Sequence, residues 1–88
     1  MKPLLERIDA LLADLARQPT ARESLEWYLQ NNLTSLRRDL VSARTKRDIT
    51  NAARAFTRFC TESMDWNTEL YRKCTAITEL AFQLGKER

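Results

Sequence analysis

The stretch Thr61-Glu62-Ser63-Met64-Asp65-Trp66-Asn67-Thr68 decides the fold. It lies in the middle of a run, Ile49 to Leu84, that contains neither Gly nor Pro. No backbone breaker therefore forces a stop within it. Three rows cross the stretch at seven-residue steps. They are Ile49, Phe56, Ser63, Leu70, Ile77 and Leu84; Ala53, Cys60, Asn67, Cys74 and Ala81; and Ala52, Phe59, Trp66 and, two steps on, Leu80. Such rows mark one side of a helix. Two features then compete. The octet is rich in capping residues, and Ser63 and Asn67 are polar members of a mostly apolar seam. A continuous helix of about 36 residues would instead span roughly 54 Å and match the preceding forty residues folded back along it. Length matching favours one helix over 48–84, with a break near 62–67 as the alternative. A straight helix would hold Cys60 and Cys74 about 21 Å apart, beyond the reach of a disulfide.

Upstream, Thr45 or Asp48 offers an N-cap for this helix, and Gly85 reads as its C-cap. A short connection, Ser42 to Arg47, precedes it. Before that, Leu25, Leu29, Leu33, Leu36 and Leu40 form one stripe, widened by Tyr28 and Val41. Thr20-Ala21-Arg22-Glu23 has the form of a capping box, so this helix is expected over 21–43. Farther upstream, Leu4, Leu5, Ile8, Leu11, Leu12 and Leu15 give a first amphipathic helix over 4–17. Pro3 suits its first turn and Pro19 ends or kinks it. The expected fold is all-α and a single domain over 1–88. It is a three-helix up-down arrangement, equivalently a kinked antiparallel hairpin with a long C-terminal helix. Three rows on that last helix exceed what one short helix covers, so self-association, most simply a symmetric dimer, is expected to complete the core.

Composition narrows the chemistry. The 88 residues include one Gly, two Cys and no His, and they carry a formal charge of +3. The missing His removes the commonest general base and the commonest zinc or iron ligand. Two thiols without His or a CxxC pair make a poor metal site. With one Gly there is no phosphate-cradling loop, and no nucleophile has a base partner. The expectation is therefore no enzyme activity, no cofactor and no resident metal. Glu62, Asp65 and Glu69 would share one face of a continuous helix, but without His they lack the carboxylate–His pairs of a two-metal site. The N-terminal residues lack the apolar core of a signal peptide, and no apolar run approaches the roughly 20 residues that cross a bilayer. These readings place the chain in the cytoplasm, with no membrane partner and with Cys60 and Cys74 as reduced, buried thiols. The sequon Asn32-Leu33-Thr34 is then incidental.

Charge is unevenly placed. From Arg37 to Arg58 there are seven basic residues against Asp39 and Asp48. The rest of the chain holds eight basic and ten acidic residues. Eleven of the fifteen basic residues are Arg, which forks onto phosphate or carboxylate better than Lys. In a hairpin, Arg37, Arg44, Arg47, Arg54 and Arg58 would converge on the tip. Trp27, Tyr28, Trp66 and Tyr71 fall at the edges of the apolar stripes, where interfaces favour amphipathic rings. The expected function is a small protein-interaction module: an adaptor, escort or regulator. Its edge aromatics would anchor a partner protein and its Arg-rich tip would steer an acidic surface. The alternative is a nucleic-acid-binding accessory protein using the same five arginines on phosphates.

Overall fold

A computed structural model of the chain describes residues 1–18 and 21–86. Helix accounts for 81% of the described residues, and none of them is in a strand. Four helices follow one another: α1 (Lys2–Ala16), α2 (Leu25–Val41), α3 (Lys46–Ser63) and α4 (Glu69–Lys86). The long C-terminal helix of the sequence reading is thus two helices, and the count is four rather than three. The reason is local. Met64 leaves the helix in an extended conformation. Asp65 then builds a tight turn: its Oδ1 accepts from the Asn67 N–H at 3.0 Å and its carbonyl accepts from the Thr68 hydroxyl at 2.8 Å. Thr68 Oγ1 in turn accepts from the Tyr71 N–H, capping α4. Several of the backbone groups freed by the break therefore find partners nearby, which lowers its cost.

The start of α2 also differs from expectation. Ser24 is its N-cap, with Oγ accepting from the Trp27 N–H at 3.2 Å. Glu23 cannot act as the third residue of a capped helix, because it lies outside α2 with a left-handed φ of 66°. Thr20 and Pro19 lie outside the described residues. The cap at α3 matches its sequence signal. Thr45 Oγ1 accepts from the Asp48 N–H, and Asp48 accepts from the Thr45 N–H. Gly85 is not a C-cap but an ordinary helical residue of α4. A Cβ there would run into Thr50 Oγ1 and crowd the Lys46 carbonyl, so glycine lets α4 lie close against the start of α3.

The helices form an up-down ring in which each packs on its two neighbours and the diagonal pairs do not meet. Side chains fix the directions. Asp14 near the end of α1 faces Lys73 near the start of α4 at 4.0 Å. Gly85 near the end of α4 lies on the start of α3. The core is one cluster to which every helix contributes: Leu4, Ile8 and Leu11 from α1, Leu29, Leu33 and Leu40 from α2, Phe56 and Cys60 from α3, Cys74 and Ile77 from α4. Tyr28 and Val41, expected to widen the α2 stripe, are instead exposed, at 43% and 59%. Because α4 folds back on α3, the apolar members of the rows other than Trp66 are buried or half-buried within one chain, while Ser63, Trp66 and Asn67 stay exposed.

Candidate functional site

The molecule is about 40 Å long and 22 by 19 Å across, so its two ends are separate surfaces. The α1–α2 and α3–α4 connections lie at one end and the α2–α3 connection at the other. All four aromatic candidates belong to the first end. Trp27 and Tyr28, in the first turn of α2, form an edge-to-face pair with centroids 4.9 Å apart. Trp27 is half-buried and Tyr28 exposed. Trp66 sits in the α3–α4 turn and stacks on Tyr71 at 6.3 Å. Its Nε1–H donates to the Thr61 carbonyl at 3.1 Å, one of the carbonyls that the end of α3 leaves unpaired. The ring is therefore held in one pose while 62% of the residue remains exposed. At this end a groove of about 400 Å³ runs between the start of α2 and the end of α3, lined by Leu25, Tyr28, Asn32, Phe59 and Ser63. An exposed indole already held in one pose can seat a partner side chain without a large ordering cost.

The arginines are not gathered into one tip. Arg37 is committed to a surface ion pair: its guanidinium donates to Asp9 at 2.7 Å, tying α2 to α1. That bond, with the charge of Asp9, raises its pKa further above the ordinary arginine value. Arg58 lies three turns into α3, toward the aromatic end, and pairs with Glu62 at 3.3 Å. Arg44, Arg47 and Arg54 are exposed, and none of the three side chains makes an ion pair at 4.0 Å or less among the described residues. Arg44 and Arg47 flank the α2–α3 connection; Arg54 stands about two turns farther along α3. Asp48, the nearest acid, is occupied. The backbone N–H groups of Arg44 and Thr45 hold its carboxyl below the usual carboxylate range.

Sequence reasoning missed how the rest of the chain arranges itself around this end. Helices α1 and α4 bring Lys2 and Lys86 to it, and α2 brings Arg38. The half made of residues 1–9, 34–54 and 78–86 holds nine basic and five acidic side chains. The other half holds five basic and six acidic ones among the described residues. The up-down topology thus turns a charge bias in sequence into a charge difference between two ends.

Glu62, Asp65 and Glu69 do not share one helical face, since the break assigns them to α3, the turn and α4. Among the described residues no group of three or more His, Cys, Asp or Glu could hold a metal ion. A groove of about 620 Å³ lies between α1 and α4, with the buried Leu11 and Ile77 at its floor and Arg7, Asp14, Glu69 and Arg72 at its rim. Its rim carries both signs of charge. No helix among the described residues is long and apolar enough to cross a membrane.

Fold and surface together define a small all-α up-down bundle with one aromatic end and one basic end. Compared with known proteins, the chain matches no family model, no curated protein and no solved structure.

Proposed function

We infer that this chain is a non-enzymatic protein-interaction module, an adaptor, escort or regulator acting in the cytoplasm, and that it docks through its aromatic end. The observation that carries this reading is Trp66. Its indole is oriented by Thr61 and Tyr71 yet mostly exposed, at the end of the bundle where Tyr28 lines a groove between α2 and α3. Trp and Tyr in such positions supply much of the binding energy at interfaces. Trp27, Tyr28 and Tyr71 complete the anchor set. The basic end steers an acidic partner through Arg44, Arg47 and Arg54 and governs the association rate more than the final affinity. Self-association no longer follows from an uncovered core row. It rests on the same exposed rings, and sedimentation at high micromolar concentration decides between one chain and two.

A second reading has its own observation: among the described residues none of the Arg44, Arg47 and Arg54 side chains forms an ion pair at 4.0 Å or less, and guanidinium groups suit phosphates. In that case the chain is a nucleic-acid-binding accessory protein.

One experiment separates the two. The immobilised full chain, its Trp66→Ala form and its Arg44→Glu/Arg47→Glu/Arg54→Glu form are each exposed to lysate and to a labelled oligonucleotide. Docking through the aromatic end predicts a defined set of captured proteins that Trp66→Ala loses and the triple variant retains at reduced, salt-sensitive levels. Phosphate binding predicts oligonucleotide retention that falls steeply with salt and vanishes in the triple variant. Capture unchanged by Trp66→Ala overturns the first reading. No oligonucleotide binding at low salt overturns the second.

A further inference from the structure

The break after Ser63 also acts inside the core, beneath the aromatic end. Cys60 lies in the last turn of α3 and Cys74 in the second turn of α4, and both belong to the same buried cluster as Phe56, Met64 and Ile77. Cys74 is fully buried and Cys60 is 4% exposed. Both are free thiols, and the antiparallel register that sets Gly85 against Thr50 brings residues 60 and 74 level across the α3–α4 hairpin, inside one buried cluster. The row they occupy is completed by Ala53 and Ala81, so a small residue is all that packing asks of it. Two thiols meeting across a helix hairpin bring something that two alanines would not.

We propose that Cys60 and Cys74 are a reversible oxidation site, closed by a peroxide-class oxidant into an intrachain disulfide that staples α3 to α4. The hydrogen bond from Cys60 lowers the Cys74 thiol against the opposing effect of burial. The same bond, together with burial, pushes the Cys60 thiol up. Cys74 is therefore the member that attacks first. Its sulfur takes one peroxide oxygen and the O–O bond breaks. The second oxygen leaves with the thiol proton as water, and Cys74 becomes a sulfenic acid. The Cys60 sulfur then attacks the Cys74 sulfur, the S–O bond breaks, and a second water departs with the Cys60 proton. The two thiols lose the two electrons that the peroxide gains. A small dithiol supplies the electrons for the return. Access requires only fraying of the helix ends beside the 64–68 connection, since peroxide is little larger than water. The inference does not rest on docking, because the thiols are buried beneath the aromatic end and line none of its groove.

The test uses the full chain treated with hydrogen peroxide, quenched with an alkylating reagent and analysed by mass spectrometry without reduction. The expected product is a monomer lighter by two hydrogens, with no alkylated cysteine and a Cys60–Cys74 cross-linked peptide. Dithiothreitol should restore both thiols. The bridge closes a loop of about 15 residues, so the oxidised form should melt higher by on the order of 10 °C. In Cys60→Ser, oxidation should stop at a Cys74 sulfenic acid that dimedone traps. Two cysteines still alkylated after peroxide, a bridge only between chains, or an oxidised chain that melts lower would each overturn the proposal. The wild-type measurement stands by itself if the variant does not fold.

Discussion

The two connections that flank α3 are built from the same chemistry. At the α2–α3 connection, Thr45 caps the following helix and Asp48 holds the backbone before it. At the α3–α4 connection, Thr68 caps the following helix and Asp65 holds the turn before it. Only the first is plain from hydrophobic periodicity, because the apolar pattern visibly lapses over 42–47. At the second, the seven-residue rows resume on the far side in the same phase. A periodicity argument therefore runs straight through it. What marks the break is the content of the rows: Ser63, Trp66 and Asn67, the row members that fall at or beside the turn, are all exposed. Polar residues entering a seam at the same level report a bend more reliably than the spacing of their neighbours denies it.

The comparison can be broken first at the residue both connections depend on. Phe56 is buried at the middle of α3, between the two. Phe56→Ala should cost about 3–5 kcal/mol in urea unfolding. Because the core is one cluster, tryptophan fluorescence and far-ultraviolet dichroism should report a single coincident transition. Two separate transitions would show that the ends fold independently.

The caps come next. Thr45→Ala and Thr68→Ala should each cost about 1 kcal/mol. Equal losses make the two connections chemical equivalents. A negligible loss at Thr68 would mean that packing of α4, rather than capping, creates the break.

A comparable effect, of opposite sign in two backgrounds, is expected where α4 meets the start of α3. Alanine is favoured over glycine within a helix by about 1 kcal/mol. Gly85→Ala alone should not show that gain, because the new methyl meets Thr50. In a Thr50→Ala background it should stabilise. Thermal melts of the four proteins form the cycle, and a gain in the wild-type background would refute the close approach.

The smallest effect is a pH dependence confined to one connection. Asp48 has a folded pKa below its ordinary value of 3.8, so its contribution is fully present above that value and fades as pH falls through the lower folded one. Asp48→Asn should be less stable than wild type at pH 7, and the gap should close in acid. Urea unfolding of both proteins between pH 7 and pH 2 checks this, and a gap that persists unchanged in acid would refute the role of the Asp48 carboxylate.

The candidate site was legible in parts. Trp27, Tyr28, Trp66 and Tyr71 stand out by their position at the stripe edges, and the structure places them together at one end. Their shared location depends on the fold-back of α4, which the spacing of residues does not reveal. Arg37 and Arg58 look no different in sequence from Arg44, Arg47 and Arg54. Their partners, Asp9 and Glu62, separate them. Glu62 is four residues from Arg58 and could have been anticipated from helical spacing. Asp9 is 28 residues from Arg37 and could not.

The sequence by itself determined an all-α chain, the α1 stripe, an N-cap for α3 at Thr45 or Asp48 and the concentration of arginine between residues 37 and 58. Each follows from interactions within a few residues, where periodicity, capping and composition act directly. The tertiary structure decided the number of helices, the closure of the core within one chain, the separation of aromatic and basic ends and the meeting of Cys60 with Cys74. Those depend on whether burying α4 against α3 and α1 outweighs keeping one helix continuous. That balance is struck between surfaces distant in sequence, and no local pattern records it.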